Sequence, residues 1–385
     1  MLSKGKILAV VLGMVLVVAA CAPAAAPTPA PTKAPAAAPT TAPAAAPTAV
    51  APAATKPPAA AATTPPAPTP TPKPATVTIG TIQTISEAGV YLAIEKGYFK
   101  EQGIDAKVAN FRATAEAMAP LGTGQIDAMI GSLSQALLSL ADRGVDLKIV
   151  GSGGRSEPKW EFAHVVLRKD LADSGKVKTP ADLKGQKIAI ASQGSAGDQI
   201  AQMMVAQAGL KPEDVEITLV PFGEQATAYG NKAVAAGFAP EPFIANGVQQ
   251  GFTMKWIPSS QFFGGKFEAG AMILGPNMLK DQDLSRRWMI AYTKGIRDYL
   301  KAFNTKAGRD EIVNLLIKYT TIKDPKLYDL MEMPYLDPNG QYDRNSLNLV
   351  YKWLVDKGLY KGKKTFEDIT DTSLAEYAAQ KLGKQ

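Results

Sequence analysis

Residues 22 to 75 form an unbroken tract of 17 prolines, 23 alanines and 10 threonines, with no glycine, aromatic or acidic side chain. Proline withholds its amide hydrogen, and a segment without large apolar side chains buries too little surface to offset the entropy of ordering. The tract is expected to act as a spacer, reaching roughly 40 Å as a flexible coil and roughly 170 Å as polyproline II. No aromatic or Arg anchor flanks a PxxP within it, which argues against a ligand for a proline-reading domain. A folded body must therefore lie after it. Five of the 42 basic residues precede Thr76, so residues 76 to 385 carry 37 basic against 35 acidic side chains. The pI of about 9.1 belongs to the N-terminal part and is no argument for nucleic acid. One cysteine and one histidine exclude Cys/His zinc sites, CxxC redox chemistry and a disulfide framework within the chain. At ~100 to 200 residues per domain, a body of this length suggests two domains.

Ahead of the tract, Lys4 and Lys6 precede an apolar run from Ile7 to Ala20. That run is shorter than the ~20 residues of a membrane-spanning helix and reads as a secretory signal, residues 1 to 20. It closes on Val18-Ala19-Ala20-Cys21, which resembles the bacterial lipobox, in which the thiol of the cysteine takes a diacylglycerol. The other reading is an uncleaved anchor with an idle cysteine. On the lipobox reading, residues 21 to 75 are a lipidated Cys21 with its linker. The body is then held at the extracytoplasmic face of the cell membrane through the lipid anchor alone.

From Thr76 strand and helix patterns alternate. Val77 to Ile82 alternates as a strand, Gly89 to Lys96 is helical, and a strand is expected around Asp105 to Val108. A helix over 115 to 121, an apolar strand over 126 to 130, another helix and a strand over 147 to 150 complete a first unit. The order recurs from Lys187: a strand to Ala191, a helix over 196 to 208, a strand over 215 to 220, a helix over 225 to 232 and a strand over 234 to 238. Two similar α/β units, each with a mostly parallel sheet, imply two lobes and a cleft between them.

Tyr91 to Ile104 (YLAIEKGYFKEQGI) resembles the A-x-E-K-G-Y-F-K-E-x-G signature of type II periplasmic binding proteins. The branch is the one serving nitrate, taurine, aliphatic sulfonates and the thiamine pyrimidine precursor. Leu121 to Ala128 resembles its L-x-x-G-x-x-D-A element, and Thr179 to Ala189 its x-x-D-L-K-G-K-x-V-A element. Val234-Ala235-Ala236 departs from the hydrophobic-Asp-Ala turn often found in the second lobe. The resemblance implies a two-lobed α/β type II periplasmic-binding-protein fold. A small-molecule ligand is enclosed between the lobes and passed to the permease and ATPase of an ABC importer. It implies a monomer with no cofactor, no metal and no catalytic residue. On it, lobe 1 is residues 76 to 166 with 272 to 385 and lobe 2 is residues 167 to 271, with His164–Leu167 and Ala271–Leu274 as hinge strands. The tail from Pro276, with Trp288, Ile290, Tyr292, Ile296, Tyr299 and Leu300 at helical spacing, returns to pack on lobe 1.

Open α/β sheets hold ligands beyond the C-terminal ends of their strands. Four turns qualify: Gln83-Thr84-Ile85-Ser86, Ser132-Leu133-Ser134, Ser192-Gln193-Gly194-Ser195 and Pro240-Glu241-Pro242. Three run into helix N-termini, where free amides suit a carbonyl or anionic oxygen, although each serine also reads as a plain N-cap. Gly151 to Arg155 is either a fifth contact or a surface turn. Gly194-Ser195-Ala196-Gly197 lacks nucleotide-binding spacing, and His164 between strand-like residues reads as packed or edge, so binding is favoured over catalysis.

A carboxylate at Glu241 suits a ligand that donates N–H or O–H groups. Trp160, Phe222, Tyr229, Phe238 and Phe243 offer stacking faces near the turns. The other reading has Glu241 facing solvent and the aromatics in the core. The first favours a neutral heteroaromatic nutrient, which the resemblance to the family's vitamin-transporting members turns into riboflavin ahead of the thiamine pyrimidine precursor, with a sulfonate, taurine or nitrate as the alternative. A flavin would use Ser192, Gln193, Gly194, Ser195 and Glu241 on its imide face, Trp160 or Tyr229 for stacking, and Gln83, Thr84, Ser132 and Ser134 along its polyol. A sensory lipoprotein and an enzyme of pyrimidine synthesis are the remaining classes.

Overall fold

The first strand, β1 (Ala75–Thr81), buries Val77 on one face and closes the sheet with Ile79 to Thr81, the pattern of a strand covered on both sides. A computed structural model describes it and the rest of residues 72–385; the expected signal, Cys21 and the tract to residue 71 lie outside the described residues. Helices α1 (Ala88–Glu95) and α2 (Tyr98–Glu101) lead to β2 (Ile104–Asn110), and α3 (Thr114–Thr123) leads to β3 (Ala128–Gly131). Both new strands pair with β1 in parallel. Helix α4 (Gln135–Asp142) and strand β4 (Lys148–Ser152) follow, and the chain leaves through the short strand β5 (Arg155–Ser156).

The second sheet is contiguous in sequence. It contains β6 (Ala163–Arg168), β7 (Lys187–Ile190), β8 (Glu216–Leu219), β9 (Ala236–Pro240) and β10 (Thr253–Pro258). The helices between them are α5 (Lys169–Asp173), α6 (Ala196–Gln207), α7 (Phe222–Gly230) and α8 (Phe243–Gln249). The chain returns through β11 (Phe267–Glu268) to β12 (Ala271–Leu274). Helices α9 (Pro276–Lys280), α10 (Gln282–Thr305), α11 (Arg309–Tyr319), α12 (Arg344–Asp356) and α13 (Ser373–Leu382) complete it.

The strand orders are β2-β1-β3-β12-β4 and β10-β6-β9-β7-β8. Each sheet therefore has three parallel strands, one reversed strand and one strand beyond it. The reversed strands, β12 and β6, are the first ones made after each passage between sheets. Each sheet with its helices is a lobe.

The passages are not where the sequence suggested. His164–Leu167 and Ala271–Leu274 are interior strands of the two sheets, buried along their length. The crossings are made by β5 and β11, which pair antiparallel with Ser156 opposite Phe267 and Arg155 opposite Glu268. An apolar extended run reads alike as hinge or as sheet interior, and here double-sided burial fixed it as interior. The second sheet consequently begins at Ala163 rather than Leu167. Gly154 enters the ribbon at φ +128°, and a Cβ there would meet Ser86 Oγ at 2.8 Å, so a side chain is barred by backbone and by space.

Arg155, a candidate ligand contact from sequence, belongs to this ribbon. Its guanidinium meets Glu157 at 2.8 Å and Glu268 at 3.7 Å and lies 4.6 Å over the Tyr335 ring. Glu268, fully buried, accepts from Ser152 Oγ at 2.7 Å and from the Asp343 amide at 2.8 Å. Helix α10 of the returning tail packs on the first lobe as its periodicity predicts, while α12 also meets α6 of the second lobe. Trp288, Tyr292, Ile296 and Tyr299 of α10 are fully buried, and Trp288 stacks on Phe99 at 4.2 Å. Among the described residues no helix is long and apolar enough to cross a membrane.

Candidate ligand cleft

Strands β1, β3, β7 and β9 all end at one gap between the lobes, because parallel strands of an open sheet deliver their C-terminal turns to the same edge. A cavity of about 50 Å³ occupies it. The first lobe supplies Ile82, Thr84, Ser86, Thr114, Ile130 and Ser132, and the second supplies Phe162, Ser192, Ser195, Phe222, Phe238 and Pro240. A buried water needs ~10 to 15 Å³ measured this way, so the space holds a few waters or one compact polar group.

The lobes touch across the cavity. The Gln135 amide at the start of α4 donates to the Gly194 carbonyl at 2.9 Å, and the Ile85 amide donates to the Glu241 carbonyl at 3.3 Å. Arg112 of the first lobe pairs with Glu224 of the second.

Three helices begin in the wall: Thr114 opens α3, Ala196 and Gly197 open α6, and Phe222 opens α7. The first amides of a helix have no intrahelical acceptor, and the dipole places partial positive charge there. Hydroxyls add donors. Ser86, Thr114, Ser132 and Ser192 make no side-chain hydrogen bond among the described residues, whereas Ser195 donates to the Ser192 carbonyl at 2.7 Å and caps α6 through Asp198 N at 3.3 Å. None of the lining residues is acidic or basic.

Of the residues expected in the site, Thr84, Ser132, Ser192 and Ser195 line the cavity, with Phe222 and Phe238 among the aromatics. The others are placed elsewhere. Gln83 points toward α11 and donates to the Tyr319 carbonyl at 3.4 Å. Ser134 is the N-cap of α4, accepting from Leu137 N. Gln193 is exposed on the far side of its turn, and Gly194 spends its amide on Asp198 at 2.8 Å and its carbonyl on Gln135. Trp160 packs against Tyr299 and Tyr335 at 6.4 and 6.0 Å. Tyr229 is buried beneath Gly237, where an added Cβ would strike its hydroxyl at 2.5 Å. Phe243 stacks behind Phe222 at 5.5 Å.

Glu241 takes neither of the positions expected for it. It is fully buried, its Oε2 accepts from Ala245 N at 2.9 Å, and its Oε1 lies 3.3 Å from Lys255 Nζ. Burial raises its carboxyl from 4.5 to about 7, against the pull of Lys255. Strand β9 ends at Pro240 in the wall, and Glu241 opens the turn after it, where Ala245 N and Lys255 hold its carboxylate away from the cavity. His164 is a packed strand residue, its imidazole pushed down to about 4 by burial.

Phe162 and Thr114 of the wall, and Glu87 behind it, are among the residues that escaped the sequence reading. Thr114 carried a local signal, as the first residue of a helix after an extended segment. Phe162 carried none.

Residues 84–302 match the family model described as NMT1/THI5 like. A Brucella abortus protein named only as a binding protein is 25% identical over 244 residues, covering 61% of this chain and 68% of that one. An Escherichia coli K12 protein named for binding aliphatic sulfonates is 29% identical over 166 residues, covering 42% of this chain and 49% of the other. Among solved structures, the periplasmic nitrate-binding protein of Synechocystis PCC 6803 superposes with a TM-score of 0.65 over 82% of this chain and 90% of its own, at 16% identity, a likeness of fold.

Proposed function

The chain belongs to the NMT1/THI5-like family, and on that footing we propose that it is the extracytoplasmic solute-binding component of an ABC importer. It closes its lobes on a compact oxyanion-bearing solute, of the sulfonate or nitrate kind, and hands it to a membrane permease. One chain carries both walls, so a monomer suffices. The observation that carries the ligand class is the wall itself, where free hydroxyls and the N-termini of α3, α6 and α7 converge on about 50 Å³ without an acidic or basic side chain. Donors without a fixed cation suit a single spread negative charge, because buried like or unpaired charges are costly. Phe162, Phe222 and Phe238 give the wall an apolar face that suits a methyl-sized substituent, which favours a compact organic sulfonate over bare nitrate. The names of the Escherichia coli and Synechocystis proteins point the same way. Of the features that favoured riboflavin, Trp160, Tyr229, Phe243 and Glu241 are outside the cavity, while Phe222 and Phe238 line it. The wall offers recognition groups, and the role proposed is binding rather than turnover.

Methanesulfonate titrated into the full chain is expected to raise its thermal midpoint with the logarithm of its concentration above Kd, by about 2.7 kcal/mol of stability when the ligand stands at about a hundred times Kd. Riboflavin is expected to leave the midpoint unchanged. Saturable quenching of riboflavin fluorescence, with no response to methanesulfonate, would reverse the assignment.

The same reading makes Cys21 the lipid-bearing N-terminus of the mature protein, with the Ala/Pro/Thr tract as its tether. Labelled palmitate is expected in the wild type and not in Cys21→Ala. Equal labelling of both would remove the anchor.

A further inference from the structure

Directly behind the cavity wall of the first lobe lies Glu87, wholly buried. Its Oε1 accepts from the Ile82 amide at 2.9 Å and its Oε2 from the Thr84 hydroxyl, and both donors belong to wall residues. No Lys, Arg or His pairs with it among the described residues. The titratable groups that face it are phenols: Tyr91 on α1, which Glu87 precedes, and Tyr292 from α10, both buried, with Glu268 acting on Tyr292 as well. Tyr292 donates to the Ser152 carbonyl at 2.7 Å. Burial raises the Glu87 carboxyl from 4.5 to about 7, opposed by its bonds to Thr84 and Ile82.

An ionised Glu87 is the wrong charge behind a cavity suited to an oxyanion. It also fixes the direction of one hydrogen bond. A carboxylate only accepts, so Thr84 must turn its hydrogen inward and present lone pairs to the cavity. When Glu87 is protonated the bond reverses. The carboxyl O–H donates to Thr84 Oγ1, and the Thr84 hydrogen is released toward the cavity. One proton thus removes a negative charge from behind the wall and adds a donor to it.

Resting on the oxyanion reading of the cleft, we propose that Glu87 and Thr84 form a proton relay that sets the ligand charge the cleft accepts. A solute anion binds together with one proton, taken from solvent onto Glu87 and given back on release. Glu87 does not touch the ligand; it acts through Thr84, as a specificity-determining residue.

The test is the pH profile of methanesulfonate affinity by calorimetry, on full-length wild type and Glu87→Gln. Glutamine keeps an acceptor for Ile82 N–H and a permanent donor for Thr84, so it stands for the protonated state. Wild-type affinity is expected to fall by up to about tenfold per pH unit above about pH 7, with proton uptake on binding. Glu87→Gln is expected to bind with the wild type's low-pH affinity and no slope. Parallel profiles, or a flat wild-type profile, overturn the relay, since a merely structural Glu87 gives no proton linkage.

Failure of the oxyanion reading looks different. Methanesulfonate then binds neither protein at any pH, while the Glu87 carboxyl band, followed by infrared difference against Glu87→Gln without ligand, still titrates near neutrality. That result overturns the anion. A Glu87 already ionised above about pH 5, as an ordinary carboxyl would be, overturns the relay whatever binds.

Discussion

Replacing Gly295 by leucine is expected to leave no stably folded body. Helices α1 and α10 cross at Gly89 and Gly295, backbone against backbone. A Cβ at Gly295 would fall on the Gly89 carbonyl oxygen, with Gly89 C at 3.0 Å and Ala93 N at 3.1 Å. These are main-chain atoms of a helix, so no change of rotamer relieves the clash and the helices must separate. Separation opens the face on which Trp288, Tyr292, Ile296 and Tyr299 are fully buried. Overpacking alone costs about 1 to 3 kcal/mol, and loss of this packing should carry the total past about 5 kcal/mol. That is comparable with the whole stability of many domains, about 5 to 15 kcal/mol. Gly295→Ala should fall between, and Gly223→Ala, where nothing lies within 4 Å, should stay within about 0.5 kcal/mol of wild type. Urea unfolding followed by near-ultraviolet circular dichroism measures all three. A Gly295→Leu protein with wild-type midpoint would mean that the helices do not meet here.

Arg155→Met is expected to destabilise the protein by about 3 to 5 kcal/mol at alkaline pH, and by much less in mild acid. Methionine keeps much of the volume but removes the cation that faces Glu268 at 3.7 Å, leaving a fully buried carboxylate. Burial raises the Glu268 carboxyl from 4.5 to about 7, and Arg155 is the leading influence that lowers it. Its folded pKa is above its unfolded one, so the native state holds more protons between about 4.5 and 7 and stability falls as pH rises through that window. Without Arg155 the folded pKa climbs further and the fall extends to higher pH. Urea midpoints of wild type and variant should therefore diverge between about pH 5.5 and 8.5. Adding Glu268→Gln to Arg155→Met should recover part of the loss at the upper end. A pH-independent difference would show that Arg155 acts through its contact with Tyr335 and not through charge.

Much of the architecture was legible because it is written in local patterns. The turns after β1, β3 and β7 were found at Thr84, Ser132 and Ser192 from a strand ending in a hydroxyl residue before a helix. What failed was the direction of single side chains. Phe222 and Tyr229 lie on nearly the same side of α7, but seven residues at ~1.5 Å each carry Tyr229 about 10 Å from the cleft. Trp160 and Phe162 differ by two positions in a turn where the amide and carbonyl of Glu157 and Trp160 pair with each other, and a turn has no period from which to read a face. Glu241 was misread because a charged residue at a strand end looks like a site residue until the sheet decides its face. Glu87 passed unnoticed because an acid before a helix reads as a dipole partner. Only tertiary packing makes it a buried carboxyl behind a cavity.

The reversed strand β12 lies between β3 and β4, yet it follows the entire second sheet in the chain. Synthesis proceeds from the N-terminus, and domains tend to fold as units in that order. Here the order inverts. Residues 163 to 258 complete their own sheet on emergence, while β3 and β4 wait with unsatisfied edges until Ala271–Leu274 arrives. The later-encoded lobe should be the first to mature, and the earlier one remains open to holdase chaperones and to strand exchange with a neighbouring nascent chain throughout that interval.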